Sequence, residues 1–157
     1  PMSYSAEIAR AVDAFLTADD WRYSFNEEAG IFRFGMQYDG KLQKVDFLIR
    51  IRDEFFVVYA CPPLTAKDCL PEMAEFIARA NYGLQNGCFE LDFEDGEIRF
   101  RTFVDCDGQL PAESVIRNSV YTAVTMMRRY GDGIAAVLFG AQTPVIAVAA
   151  CEAAPFD

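Results

Sequence analysis

The chain has 157 residues, of which 52% are hydrophobic and 24% are charged, with a formal net charge of −10 at pH 7. This length predicts one domain, residues 1–157, that can bury a sizeable core, and the composition excludes a disordered chain. The acidic balance repels a nucleic-acid backbone and an anionic lipid surface, so we expect neither nucleic acid nor a membrane as a partner.

The N-terminus and the cysteines indicate a cytoplasmic protein. Pro1-Met2-Ser3 lacks the basic and apolar segments of a signal peptide, and the uncharged run 133–151 is interrupted near Pro144, which argues against a membrane-spanning helix. The cysteines are odd in number and scattered, which predicts neither a disulfide framework nor a metal site. We expect five reduced thiols, buried or half-buried: Cys61, Cys69, Cys88, Cys106 and Cys151.

The first elements are a helix and a short strand. Ser3 to Thr17 carries apolar residues at helical spacing and predicts an amphipathic helix, with Ser5 or Ser3 as its N-cap. The strand begins at Trp21. We expect this single tryptophan to fill the core rather than to mark a ligand pocket.

Three runs between Gly30 and Cys61 alternate apolar and polar residues with the period of a strand. Short polar breaks at Asp39-Gly40 and at 52–54 separate them and predict a three-stranded antiparallel meander. The opposite face of this meander is expected to be mostly polar. The alternation assigns eleven residues to the buried face: Phe32, Phe34, Met36, Tyr38, Val45, Phe47, Ile49, Ile51, Phe55, Val57 and Tyr59.

A helix and a hairpin are predicted to follow the meander. The helix begins at Cys69 or Leu70 and ends near Asn81, and the strands at 87–93 and 97–104 are joined by a tight turn containing Asp-Gly. The residues predicted to face inward from the hairpin are Phe89, Leu91, Phe93, Ile98, Phe100, Thr102 and Val104.

The last part of the chain reads as two helices. Pro111 is predicted to open a long helix as its first residue, with a kink or break at 131–133 and an apolar continuation to Phe139. Thr143-Pro144 predicts the start of a final helix through about Glu152. The complete order, α-β-β-β-β-α-β-β-α-α, predicts an α+β fold in which helices pack on one face of an antiparallel sheet of five to six strands.

Catalytic chemistry has little support in this chain. It contains no histidine, which removes the commonest general base and the commonest metal ligand. The run 105–108 resembles the start of a calcium loop but lacks the later oxygen ligands. Glu90, Asp92, Glu94 and Glu97 could form an acid/base pair, yet interleaved arginines favour an exposed strand face. We therefore expect no enzyme activity, no cofactor and no metal.

One feature of the predicted sheet indicates binding. Five of the 14 basic residues fall on its outer face in an otherwise acidic protein, and arginine on a flat sheet suits carboxylates or a polar peptide. The alternative is that these arginines only neutralise Glu90, Asp92 and Glu97. The candidate partner-binding residues are Arg33, Arg50, Arg52, Arg99 and Arg101.

Several segments resemble the YbjN family of bacterial proteins. The resemblance covers nearly the whole chain and is carried by PEMAEFI at 71–77, Asn81, GCFELD at 87–92, GEIRFR at 96–101, Trp21, the strand exit at Cys61-Pro62-Pro63, the run 130–140 and Thr143-Pro144. It implies a fold like that of type III secretion chaperones, whose chains commonly associate in pairs. It also implies a sensory transduction regulator, and it supplies no catalytic or ligand residue.

These observations predict a non-enzymatic, protein-binding or regulatory module that forms a homodimer. The homodimer is expected because the helix spanning 115–139 carries more apolar surface than one sheet face needs. The alternative is a small-ligand binder or a histidine-free enzyme, with a pocket between the sheet and the long helix that uses Cys61, Tyr59 or Tyr121. A third possibility is a chaperone dedicated to one exported protein.

Overall fold

The computed structural model describes residues 3–153 and 155, and it confirms the predicted α+β class and element order. The ends of the predicted domain, residues 1–2 and 156–157, lie outside the described residues. The elements are α1 (Ala6–Ala18), β1 (Tyr23–Asn26), β2 (Ile31–Gln37), β3 (Lys44–Ile51), β4 (Phe55–Cys61), α2 (Leu70–Asn81), β5 (Cys88–Leu91), β6 (Ile98–Asp105), α3 (Glu113–Leu138) and α4 (Pro144–Ala153).

The six strands form one sheet in the order β1-β2-β3-β4-β6-β5, with every pair antiparallel. β2, β3 and β4 are the predicted meander. β6 pairs with β4, because α2 carries the chain past that position to the far edge, where β5 begins. We call the face that packs on the helices the inner face and the opposite one the outer face.

The inner face is joined to the helices by aromatic contacts and one buried hydrogen bond. The ring of Phe89 lies 4.9 Å from Phe100 on β6 and 5.6 Å from Tyr130 on α3, centroid to centroid. Thr102 Oγ1 donates to the carbonyl of Ser119 at 3.0 Å, which satisfies a buried hydroxyl. Edge-to-face rings of this kind add specific geometry to apolar burial.

Trp21, which follows α1, is half-buried and packs against the core. Its ring lies 4.9 Å from that of Phe34 and 6.0 Å from that of Phe47, and Nε1 donates to Asp19 Oδ2 at 2.9 Å. At the other end of α1, Ser5 accepts from the amide of Ile8 at 3.2 Å and is the N-cap.

The two edges of the sheet differ. At the β5 edge, Asn81 Nδ2 donates to the carbonyl of Phe89 at 3.0 Å and Asn81 Oδ1 accepts from the amide of Phe89 at 2.7 Å. The side-chain amide thereby occupies the place of a neighbouring strand. Among the described residues, no strand pairs with the outer side of β1.

The predicted direction of the β4 side chains is wrong. Phe55, Val57 and Tyr59 point to the outer face, because the register pairs the alternate residues of β4 with the buried residues of β3. The sequence of β4, FFVVYAC, is apolar at almost every position, so alternation could not choose a face. Tyr38, also predicted in the strand, lies just beyond the end of β2. The inward residues of β4 are Phe56, Val58 and Ala60.

Phe93 was predicted to face inward and does not. β5 ends at Leu91, and the chain turns at once, with the amide of Asp92 donating to the carbonyl of Glu97 at 2.9 Å. Phe93 therefore lies in the turn, where 63% of its surface is exposed. The turn ends at Gly96, which has φ of +78° and packs directly against the backbone of Lys67.

The predicted break in the long helix is also wrong, because α3 is continuous through Gly131 and Gly133. A Cβ atom on Gly131 would lie 2.5 Å from Tyr38 Oη, and one on Gly133 would lie 2.6 Å from Cys151 Sγ. These glycines therefore provide room for close packing rather than flexibility. The helix begins at Glu113 with Ala112 as N-cap, so Pro111 precedes the helix instead of opening it.

The apolar surface predicted to be in excess on 115–139 is covered. The sheet and α4 bury most of it, and the large apolar side chains left exposed there are Val115, Tyr121 and Phe139. Within the described part of the chain, no helix is long and apolar enough to cross a bilayer.

Candidate functional site

The five predicted arginines lie on the outer face or at its margin. The strand register places Arg33 on β2, Arg50 on β3 and both Arg99 and Arg101 on β6 on this side of the sheet. Arg52 follows β3 at the turn, where its Nη1 donates to the carbonyl of Ile51 at 3.2 Å. The sheet therefore brings together residues that are up to 68 positions apart in the chain.

Two of these arginines are neutralised by the protein itself. Arg99 Nε lies 2.8 Å from Glu90 Oε1, and Arg101 Nε lies 3.4 Å from Glu90 Oε2. Arg99 also reaches Glu97 at 3.9 Å. These contacts to Glu90 and Glu97 are ion pairs of the kind that the local-neutralisation alternative expects, and partly exposed pairs stabilise the fold by only about 0–1 kcal/mol.

The other three, which we call the arginine cluster, are Arg33, Arg50 and Arg52. Within residues 3–153, no carboxylate lies within 4.0 Å of any of their guanidinium groups. Arg50 Nε is buried and has no hydrogen-bond partner there. Its guanidinium carbon lies 5.9 Å from the ring centre of Tyr59, which also carries Arg99 at 4.1 Å.

The outer face is less polar than predicted. An apolar stripe crosses its centre, with the rings of Phe55 and Phe103 5.1 Å apart and 51% of Phe103 exposed. Leu48 and Phe103 each lie between two buried residues of their strand, so the period of two places them on the outer face. This position could have been predicted from the sequence. The stripe consists of Leu48, Phe55, Val57, Tyr59 and Phe103.

Cys61 lies at the end of this stripe and is not an activated nucleophile. Burial, together with a smaller contribution from the charge of Glu97, raises the pKa of its thiol to about 11. Because the thiolate is the reactive form, a thiol with this pKa is almost wholly protonated and unreactive at neutral pH.

The predicted pocket between the sheet and the long helix does not form from the residues proposed for it. Tyr59 and Cys61 lie on the outer face, whereas α3 packs on the inner face. Tyr121 lies beside α1 and donates to Asp19 Oδ2 at 2.6 Å. Tyr121 is therefore on the opposite side of the sheet from Tyr59 and Cys61, and that prediction is wrong.

The acidic candidates are held by local contacts. Glu90 and Asp92 line a cavity of about 350 Å³ beside β5. Glu90, however, binds both β6 arginines, and Asp92 Oδ1 accepts from the amide of Glu94 at 2.8 Å. In the calcium-like loop, Asp105 Oδ1 accepts from the amide of Asp107 at 2.9 Å. The described residues contain no group of three side chains placed to hold a metal ion.

Comparison with known proteins identifies the family. The model of the YbjN family, described as "Putative bacterial sensory transduction regulator", matches residues 9–136. The match runs from within α1 to the last turn of α3 and includes the whole sheet and all five arginines. Comparison with curated proteins gave no significant match. The resemblance read from the sequence is confirmed, and the chain belongs to the YbjN family.

Proposed function

We propose that this protein is a non-enzymatic, cytoplasmic regulatory module that binds another protein through the outer face of its sheet. The observation that carries the proposal is the arginine cluster: three arginines on or directly after the adjacent strands β2 and β3, with no carboxylate within 4.0 Å among the described residues, in a chain of net charge −10. The family description as a regulator supports this class of function.

The arginine cluster favours an anionic ligand on physical grounds. Neighbouring cations repel one another, and a buried donor without an acceptor costs free energy that a bound carboxylate would recover. Arg50 is half-buried and its Nε atom is the buried donor, so it gains most from such a ligand. The planar guanidinium matches the two oxygens of a carboxylate, which makes acidic side chains the expected contacts.

The apolar stripe favours a protein over other classes of anionic ligand. Phe103 and the half-buried Phe55 and Tyr59 would be covered by apolar side chains of the ligand, and exposed aromatic residues beside arginine are typical of protein-binding surfaces. A nucleic acid would meet the repulsion of the whole acidic molecule. We therefore propose as ligand a polypeptide segment whose carboxylates flank apolar residues.

We further propose that the fold is of the type III secretion chaperone kind and that the protein is a homodimer. The resemblance to that fold and the layer of helices on one face of an antiparallel sheet support the first point. A chaperone for one exported protein would be a special case of the proposed binding function, since fold alone does not define activity.

A labelled peptide tests the proposal directly. The probe is a fluorescein-labelled peptide in which glutamate alternates with leucine and phenylalanine, followed by anisotropy at low salt. The variant Arg50→Glu/Arg52→Glu should bind about tenfold more weakly or worse, because charge-assisted hydrogen bonds contribute roughly 1.5–3 kcal/mol each. Arg33→Glu repeats the test at an exposed arginine of the same cluster.

The matched control is Arg117→Glu/Arg128→Glu, which changes the net charge equally on the exposed side of α3. It should bind the peptide like the wild type, and all variants should melt within a few degrees of it. Equal weakening in the control would mean that only net charge matters. Unchanged binding in both double variants would remove the outer face from the proposed function.

A further inference from the structure

One row of side chains crosses the outer face from strand to strand. The register pairs Arg33 on β2 with Leu48 on β3. From Leu48 the row continues to Tyr59 on β4 and then to Arg101 on β6. These four strands are direct neighbours in the sheet. The row therefore has an arginine at each end and a half-buried leucine and tyrosine between them.

The spacing of this row suits an extended polypeptide that lies across the strands. Neighbouring strands are about 4.8 Å apart, so three strand spacings place Arg33 and Arg101 roughly 14 Å apart along the row. An extended ligand rises about 3.3 Å per residue and turns every second side chain to the same face. Its residues i, i+2 and i+4 would therefore face Arg33, the leucine and tyrosine, and Arg101 in turn.

The two ends of the row differ because of Glu90 on β5. Its Oε2 atom lies 3.4 Å from Arg101 Nε, and its Oε1 atom lies 2.8 Å from Arg99 Nε. About one third of each of these side chains is exposed, so salt screens the contacts less than it would at an open surface. Among the described residues, no carboxylate lies within 4.0 Å of the guanidinium group of Arg33. The β6 end is thus occupied by a carboxylate of the protein itself, and the β2 end is open.

We propose that Glu90 determines the specificity of the outer face, because it occupies Arg101 in the place of a ligand carboxylate. This inference rests on the proposed binding function and adds that the ligand carries its carboxylate on one side of the apolar residues only, the side that meets Arg33. The pairing of β5 with β6 holds Glu90 next to Arg101, so a ligand carboxylate would compete with an intramolecular one at high effective concentration. It would also meet the like charge of Glu90, which repels it.

Two fluorescein-labelled peptides that differ in one residue test this inference on the full chain, by anisotropy at low salt. Each is serine-rich with glutamate at position i and leucine at i+2. The one-ended peptide has glutamine at i+4, and the two-ended peptide has glutamate there. The wild type should bind both with affinities within about twofold of each other, because Glu90 already holds Arg101. Glu90→Gln should bind the two-ended peptide about tenfold more tightly than the one-ended peptide, because Arg101 can then donate charge-assisted hydrogen bonds to it.

Glu113→Gln is the matched control, because it removes the same charge and releases Arg117 from a contact at 2.6 Å on α3. It should bind the two peptides as the wild type does. Glu90→Ala repeats the test without a side-chain amide that accepts from the arginines, and Glu90→Gln combined with Arg101→Gln should lose the preference. Circular dichroism should show the native fold in every variant, since partly exposed ion pairs contribute little to stability.

Three results would overturn the inference: a wild type that already prefers the two-ended peptide to the same degree, Glu90 variants without a preference, or an equal preference in Glu113→Gln. No binding of either peptide by the wild type would instead overturn the proposed function itself. The affinity for the one-ended peptide therefore tells the two failures apart.

Discussion

Cys61 shows how the outer face sets the chemistry of a single side chain. Burial raises the pKa of its thiol from an ordinary value of 9.0 to about 11. At pH 8 the folded protein should therefore alkylate at Cys61 about a hundredfold more slowly than the urea-unfolded chain, because the thiolate fraction is smaller by that factor. Peptide mapping of iodoacetamide-treated samples measures the two rates. Equal rates would show that the thiol is not shielded.

The same shift has a defined sign for stability. The folded state holds the proton of Cys61 more tightly than the unfolded state, so this contribution is fully present below the unfolded pKa and is lost as pH rises through about 11. In Cys61→Ser, the free energy of unfolding should therefore fall less steeply between pH 9 and about pH 11 than in the wild type. Denaturant unfolding at several alkaline pH values measures this. Cys151→Ser repeats the test at a half-buried thiol whose pKa is also raised by burial.

Residue-level prediction from the sequence succeeded where polarity alternates and failed where it does not. Arg33 and Arg50 lie between apolar neighbours, so the period of two assigned them to the outer face correctly. β4 has no polar position to fix its phase, and Phe55 was therefore assigned to the wrong side. The division of the arginines into paired and unpaired groups depends on which strands are neighbours, and no local pattern contains that information.

At the scale of elements, Gly133 gives the clearest test. In an exposed helix interior, Gly→Ala would stabilise by about 1 kcal/mol. Here the new Cβ would lie 2.6 Å from Cys151 Sγ and 2.8 Å from the ring of Phe76, so we expect Gly133→Ala to destabilise by roughly 1–3 kcal/mol.

Thermal and denaturant unfolding measure this loss, which should lower Tm by several degrees. Asn118→Ala, at an exposed position of the same helix, is the control for helix propensity and should leave Tm nearly unchanged. A rise in Tm for Gly133→Ala would show that α3 and α4 can separate without cost, and it would remove the close contact as the reason for glycine.

The elements themselves were largely predictable. Hydrophobic period, the Asp95-Gly96 turn and the Thr143-Pro144 start gave every helix and strand in the right order. The exception is the expected break at 131–133, where glycine was taken as a helix breaker. Its real role is set by the side chains of Tyr38 and Cys151, which are distant in sequence, so tertiary packing overrides the local propensity.

At the scale of the whole molecule, the proposed dimer would carry two outer faces, which gives a prediction for bivalent ligands. Two copies of the acidic peptide joined by a long Gly/Ser linker should bind the dimer about tenfold or more tighter than one copy, since the second contact becomes intramolecular. Titration calorimetry measures both affinities.

The control for this measurement is Arg50→Glu/Arg52→Glu, which should bind neither the single nor the joined peptide tightly. Light scattering after size exclusion establishes the oligomeric state of each sample at micromolar concentration. A monomeric wild type would overturn the proposed homodimer. A dimer that binds the joined and the single peptide with equal affinity would contradict the prediction of two accessible outer faces.

The whole-molecule arrangement was the least predictable from the sequence. The strand order, with β6 between β4 and β5, follows from the crossover through α2, which the sequence does not specify. The apolar surface expected on α3 proved to be covered by α4, and the exposed apolar residues lie instead on α4 itself. Which apolar helix is covered depends on how the layers stack, and the hydrophobic period of a helix does not contain that information.

The side-chain amide of Asn81 at the edge of β5 has a consequence for polymerisation. A fibre that grows by adding sheets end to end needs two receptive ends on every unit, and here one end is already terminated by Asn81. If two molecules join through their β1 strands, both remaining edges of the joined sheet are terminated by Asn81, and the sheet adds no further strands. The chain can thus leave the edge of one short strand unpaired without serving as a building block of amyloid-like fibres.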